Sequence, residues 1–263
     1  MAAVRSLRNL ARLFGIASTL ARFDALFALE TLGVAPGLVA TARLLCPTAR
    51  AARGLRPGQR LARALQALGP SFIKLGQMLA TRSDLVGDEV AADLSELQDR
   101  LPPFPGKAAK QIVARELGRD IDALYRSFDE EPVAAASIAQ VHFAVTADGR
   151  EVAVKVLRPR IEQAFARDLD LFFWVAATVE QLQPALRRLK PMEVVKTFAA
   201  TVRVEMDLRL EAAAGSELAE NFAGDPDLVV PKVDWTRTAK RVLTLARVHG
   251  IRIVNPDITS TRT

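Results

Sequence analysis

Apolar residues recur along this chain with two different periods. In the opening segment, Met1 to about Phe27, Leu7, Leu10 and Phe14 stand at helical spacing with Arg5, Arg8 and Arg12 on the other side. That pattern predicts an amphipathic basic helix. The Pro and Gly residues between Ala35 and Gly58 mark a loop or linker. Leu61, Leu65 and Leu68 then form one helical stripe, and Gly69-Pro70 restarts the helix, because Pro is tolerated in a first turn. Phe72, Leu75 and Leu79 continue the apolar face. Val90, Leu94, Leu97 and Leu101 define another helix, stopped by Pro102 and Pro103, and Ile112, Val113, Leu117 and Leu124 predict one more.

The period changes near Ser127. Ala139, Val141, Phe143 and Val145 alternate and fall on one face, and Val152, Val154 and Val156 alternate again. Between the two runs, Ala147-Asp148-Gly149 is a hairpin signal. Helical spacing returns from Ile161 to about Leu189 and from Met192 to about Phe222, and two short strands are expected at Leu228–Val233 and Arg241–Val248. Helices, hairpin, helices and strands in that order predict an α+β fold without the βαβ rhythm of a doubly wound sheet.

Charges interrupt every apolar stretch before it reaches the ~18 residues of a membrane span. The single cysteine, Cys46, excludes an internal disulfide and a Cys-rich zinc site, and its apolar neighbours make it a small core residue. Net charge is +6, mostly from arginine and concentrated early in the chain. This balance suits anionic partners such as nucleotide phosphates or a phospholipid surface. One Tyr and two Trp, with no basic-aromatic interleaving, argue against nucleic acid.

The candidate chemistry begins with Lys155, inside Val152-Ala153-Val154-Lys155 on the second hairpin strand. An ammonium among apolar neighbours needs a partner, and a strand lysine in this setting is how protein kinases reach nucleotide phosphates. Upstream, Ala134, Ala135, Ala136 and Ser137 occupy the turn where an ordinary kinase has a Gly-rich loop. Their small side chains let backbone approach a ligand, but with less freedom than Gly. Lys74 and Gln77 are three apart on one helix face, with Gly76 leaving that helix locally bare. Glu205, Asp207 and Glu211 are expected on one helix after the hairpin, Asp207 and Glu211 sharing a face, and require cations, either Arg203 and Arg209 beside them or Lys155 and Lys74 from elsewhere.

Taken in order, these stretches resemble the UbiB/ADCK family of atypical kinases. The resemblance is carried by Leu68 to Gln77, Thr81 to Leu85, Leu97 to Pro103, the run AAASIAQVH (Ala134 to His142), VAVKVLRP (Val152 to Pro159) and Glu205-x-Asp207-x-x-x-Glu211. It covers roughly Leu61 to Ile253. It implies a protein-kinase-like N-lobe, a small antiparallel sheet plus helices, preceded by a helical extension. The implied segments are a basic helical extension and linker at 1–58, a KxGQ helical region at 59–124, the N-lobe at 125–253 and a polar tail at 254–263. The resemblance further implies ATP or ADP binding through Lys155 and the Ala134–Ser137 turn, with Glu211 as the lysine's partner and Glu205 second. It assigns Lys74 and Gln77 to an occluding contact with Glu205 and Asp207. Family members look like ATPases that support ubiquinone biosynthesis at membranes, so ubiquinone-biosynthesis proteins or lipid intermediates are expected partners, at the cytoplasmic face and peripherally.

Mg²⁺ would accompany the nucleotide in such a family, but no H-x-D-x-x-x-x-N and no D-F-G occurs here, and Ala246 stands where the hinge strand usually has an acid. The expectation is a truncated, catalytically incompetent member. The alternative is a non-catalytic, membrane-associated lipid- or partner-binding module built on the basic helix.

Overall fold

The computed structural model describes residues 2–30, 33, 36–47, 52–95, 97 and 101–250, with side chains from Leu7 onward. The polar tail and the last residues of the expected hinge lie outside the described residues. Two compact units emerge: Met1–Pro103 with Ala135–Ala139 and Leu157–Met206, and Phe104–Ala134 with Gln140–Val156 and Asp207–Thr263.

The first unit is helical. It contains α1 (Ala2–Arg22), α2 (Phe27–Glu30), α3 (Pro36–Leu45), α4 (Pro57–Leu68), α5 (Pro70–Ala80), α6 (Ser83–Val86), α7 (Asp88–Ser95), α10 (Ile161–Leu182) and α11 (Pro191–Glu205), with a 3-10 turn at Pro184–Leu189. Its core joins Ile16, Leu20, Leu61, Leu65, Phe72, Leu94 and Leu171, and Phe72 meets Phe172 edge-on at 5.2 Å. Gly76 is what lets α5 sit this close: a Cβ there would come within 2.5 Å of Leu97 Cδ1 and 2.7 Å of Leu65 Cδ1. The bare spot expected on this helix therefore receives leucine side chains.

One sequence expectation fails here for a physical reason. The supposed linker from Ala35 contains α3, because Pro36 sits at the first helical position, where its missing N–H costs nothing, and Val39 and Ala42 behind it are buried. On α1 the buried stripe is Leu13, Ile16, Ala17 and Leu20, while Leu7 and Leu10 are exposed. The arginine side of α1 is also engaged. Arg8 pairs with Asp170 at 3.0 Å while staying 68% exposed, and Arg12 pairs with Asp168 and donates to Arg167 O at 3.0 Å. Cys46 is half-buried at the edge of the core. Among the described residues no helix is long and apolar enough to cross a membrane.

The second unit is a small sheet with helices: α8 (Gly106–Leu117), α9 (Ile121–Leu124), β1 (Tyr125–Phe128), β2 (Ala134–Ala135), β3 (Ala139–Thr146), β4 (Glu151–Leu157), α12 (Leu208–Asn221), a 3-10 turn at Trp235–Arg237, and β5 (Val242–Ala246). Strand order is β1-β3-β4-β5, with β2 beside β3. β1 runs antiparallel to β3, and β5 antiparallel to β4. The hairpin falls at the Asp-Gly signal, where Gly149 adopts the positive φ of 88° that other residues resist. Val152, Val154 and Val156 point into the core with Ile112, Val113, Leu124 and Tyr125. Leu228–Val233 is not a strand; only Val233 bridges to β5, opposite Leu245.

On β3 the alternation holds, and the other set of positions is the buried one. Gln140, His142, Ala144 and Thr146 are buried, while Val141, Phe143 and Val145 are only half-buried. The polar residues tolerate this because each has partners. Gln140 accepts from Phe104 N (3.0 Å) and donates to Phe104 O (3.1 Å). Thr146 Oγ1 accepts from Arg150 N at 2.9 Å. His142 Nδ1 lies 2.7 Å from Asp129 O, and since a carbonyl can only accept, Nδ1 carries the proton and Nε2 accepts from Gln140 Nε2 at 2.8 Å.

Burial pushes the His142 imidazole below its ordinary value, against the upward pull of Asp129 and with Lys110 adding repulsion. The unfolded chain therefore binds the proton first. Stability should be level above a pH of about 6.5 and fall as pH drops below it, by at most about 1.4 kcal/mol per pH unit. Urea midpoints between pH 7.5 and 5.5 should show this slope in the wild type and a flatter one in His142→Gln. Equal slopes would remove His142 from the account.

Candidate functional site

Lys155 lies on β4 opposite Leu243 of β5. Alternation turns it away from the face of Val154 and Val156, so it is half-buried. Its Nζ reaches both carboxylate oxygens of Glu211 at 2.8 Å. The single helix expected for Glu205, Asp207 and Glu211 is two, α11 ending at Glu205 and α12 beginning after Asp207, and the placement of Glu211 follows from how α12 starts. Asp207 is the N-cap, its carboxylate accepting from Arg209 N at 3.2 Å, and Glu211 stands in the first turn. Carboxylates are favoured at a helix N-terminus, which presents unpaired N–H groups and the positive end of the dipole. Arg209 also grips Asp207 through Nε (2.9 Å) and Nη2 (2.6 Å). That guanidinium, more than the cap bond, holds the Asp207 carboxyl below the usual carboxylate range.

Glu205 is the last residue of α11. A carboxylate at a helix C-terminus opposes the dipole and needs a cation. Lys74 supplies one, with Nζ 2.8 Å from Glu205 Oε2. Lys74 and Glu205 both belong to the first unit, whereas Lys155, Asp207 and Glu211 belong to the second. Gln77 donates from Nε2 to Leu97 O at 3.2 Å. The structure thus brings Lys74 to Glu205 and Lys155 to Glu211, with Asp207 serving its own helix and Gln77 reaching Leu97, past the end of α7.

In the Ala134–Ser137 turn, Val133 N donates to Val141 O at 2.9 Å and Ala136 N to Ala139 O at 2.8 Å. None of these four residues has a positive φ, so alanine fits where a Gly-rich loop would use its extra freedom. Ser137 is buried and Ala134 exposed.

The buried Gln140–His142 pair was missed, although it lies inside the run AAASIAQVH. Two polar residues in alternation on a strand are the available signal, and they read as an outward face until their partners at Phe104 and Asp129 are known. Among the described residues no group of three or more His, Cys, Asp or Glu is placed to hold a metal ion. A cavity of about 600 Å³ in the helical unit, lined by Leu29, Pro36, Val39 and Leu44 with Glu30 and Arg43, contains none of these site residues.

Residues 96–263 match the family model described as the ABC1 atypical kinase-like domain. A probable protein kinase UbiB from Marinobacter nauticus is 44% identical over 201 residues, 76% of this chain and 37% of that protein. A probable protein kinase UbiB from Xanthomonas oryzae pv. oryzae is 48% identical over 199 residues, 74% of this chain and 36% of its own length. Among solved structures, the Rv3197–erythromycin complex from Mycobacterium tuberculosis is 31% identical with a TM-score of 0.51, covering 68% of this chain and 44% of that one. The chain therefore spans little more than a third of the length of the curated relatives it matches.

Proposed function

Because this chain belongs to the ABC1 atypical kinase-like family, we propose that it binds ATP or ADP in support of ubiquinone biosynthesis, in the manner its UbiB-type relatives suggest. The observation carrying this reading is the two-pronged contact of Lys155 Nζ with Glu211, 2.8 Å to each oxygen. An ammonium has three donors, and a carboxylate that holds it on one side orients the remainder toward an anion. The Ala134–Ser137 turn adds a stretch whose small side chains let phosphate oxygens approach the backbone. When bound, the nucleotide would supply the phosphates that these groups hold. Among the described residues no group of three or more His, Cys, Asp or Glu lies together, and no step through Mg²⁺ is assigned to this chain. The proposal is for binding; turnover by the longer relatives is not carried over to it.

A thermal-shift titration with ADP and ATP tests the reading. Ligand at a hundred times its dissociation constant stabilises the folded state by about 2.7 kcal/mol, visible as a raised melting temperature. The wild type should show the rise and Lys155→Ala should lose it; a folded wild type that does not respond would end the nucleotide reading.

A second reading, a lipid- or partner-binding module at an anionic membrane surface, is favoured by one observation. Leu44 and Leu45 at the end of α3 are 85% and 62% exposed, and Leu44 also lines the apolar cavity. Vesicle binding that weakens with salt and ignores Lys155→Ala would favour it over the first.

A further inference from the structure

Two stretches that stand out in the sequence, Leu101-Pro102-Pro103 and the end of VAVKVLRP, meet at a residue the nucleotide reading leaves unused. Arg158 follows β4 and is half-buried. Its main-chain N–H donates to Ile138 O at 2.9 Å. Its side chain donates twice to Ala136 O, from Nε at 3.1 Å and from Nη2 at 2.9 Å. The other edge of the guanidinium reaches Pro102 O at 3.0 Å and Leu101 O at 3.4 Å. All these residues lie in the first unit.

The chemistry of both ends explains the arrangement. Pro102 and Pro103 have no N–H and keep the residue before each of them extended, so the carbonyls of Leu101 and Pro102 have no helix or ladder to join. The Ala134–Ser137 turn has the opposite need. Alanines carry no polar side chain with which to anchor a turn, so beyond the Ala136 N–H bond to Ala139 O the turn depends on neighbours that take hold of its carbonyls. A planar guanidinium can grip one carbonyl with two N–H groups while reaching two more; a lysine ammonium, a point charge on a flexible stem, cannot reproduce that fork. Burial pulls Arg158 below the ordinary arginine value, a desolvation cost that the carbonyl bonds offset.

We infer that Arg158 is a positioning residue for nucleotide phosphates, fixing the Ala136–Ile138 part of the small-residue turn and tying it to the Leu101–Pro102 segment. The inference rests on the nucleotide reading above.

Calorimetric titration of the 263-residue chain with ADP and with adenosine tests it, using wild type, Arg158→Lys and Arg158→Met. Both variants should lose about tenfold in ADP affinity, as removal of charge-assisted hydrogen bonds implies. Adenosine, which has no phosphate, should bind all three to within about twofold, a change too small to correspond to one lost hydrogen bond. In the unmutated chain, ADP should also slow amide exchange at Ala136 and Arg158, a readout that needs no variant to fold. Unchanged ADP affinity in folded Arg158→Lys overturns the inference and leaves nucleotide binding standing. So does an equal loss for adenosine, which would make Arg158 a support of the fold in general, and so does bound ADP without slowed exchange. A folded wild type that binds no ADP removes both readings together.

Discussion

Asp168→Ala should destabilise the helical unit by about 3–5 kcal/mol, the cost of leaving one partner of a buried ion pair alone. Asp168 on α10 is nearly inaccessible. It receives Ser71 Oγ from α5 at 2.6 Å and Arg12 from α1, so one carboxylate joins three helices that are remote in sequence. Desolvation already lowers the pKa of Arg12, and Arg167 and Arg8 add repulsion. Without Asp168 that guanidinium would face two like charges with only the more distant Asp170 and the Arg167 carbonyl to answer it, and the buried Ser71 hydroxyl would lose its acceptor. Urea unfolding followed by far-UV circular dichroism measures the loss, which should lower the midpoint. Replacing both charges, as Arg12→Met with Asp168→Leu, should recover much of it, because a packed apolar pair avoids the desolvation that the ions suffer. A loss below about 1 kcal/mol for Asp168→Ala, the range of surface pairs, would mean that the pair is effectively solvated.

Gly106→Ala should be the second most damaging change, at about 3 kcal/mol, the upper part of the usual cost of overpacking. Gly106 opens α8 in the sheet-containing unit. A Cβ there would lie 2.2 Å from Glu130 O, 2.7 Å from Glu130 Cα and 2.8 Å from Glu130 C. All three are backbone atoms, so relief requires moving a chain segment, whereas at Gly76 the obstructing atoms are leucine side-chain ends. Gly215 in α12 is the control: nothing lies within 4 Å of its Cβ position, and Gly215→Ala should stabilise by up to about 1 kcal/mol through helix propensity. Equal midpoints for the two variants would contradict the close approach of Glu130.

What the sequence discloses about this fold is what local pattern can carry. The hairpin was legible because Asp148-Gly149 sits between two alternating runs, and the helices because leucines recur on one face. The α+β order and the kinase-like N-lobe followed from these patterns and the motifs together. Where the reading went astray, tertiary partners had overruled local pattern. On β3, Val141, Phe143 and Val145 look like the core face, but Gln140 and His142 take it because Phe104 and Asp129 satisfy them. At Pro36 a proline read as a linker residue begins a helix. The clamps of Asp168 and Arg158 were invisible for a related reason: their partners lie far away in sequence, and no spacing rule reaches that distance. In the candidate site, Lys155 announced itself as a charge in an apolar strand, whereas Asp207 gives no local sign of whether it will answer a distant lysine or cap its own helix.

Under the proposed function, Lys155, held by Glu211, binds nucleotide phosphate. The most direct measurement is the equilibrium dissociation constant for ADP, by calorimetry, for wild type, Lys155→Ala, Glu211→Gln and the double variant. The wild type should bind, and each single change should weaken binding roughly tenfold or more, as loss of a charge-assisted contact implies. The double variant should be little worse than Lys155→Ala, because the glutamate acts through the lysine. Absence of binding in a folded wild type, or one affinity shared by all four proteins, would contradict the proposed function.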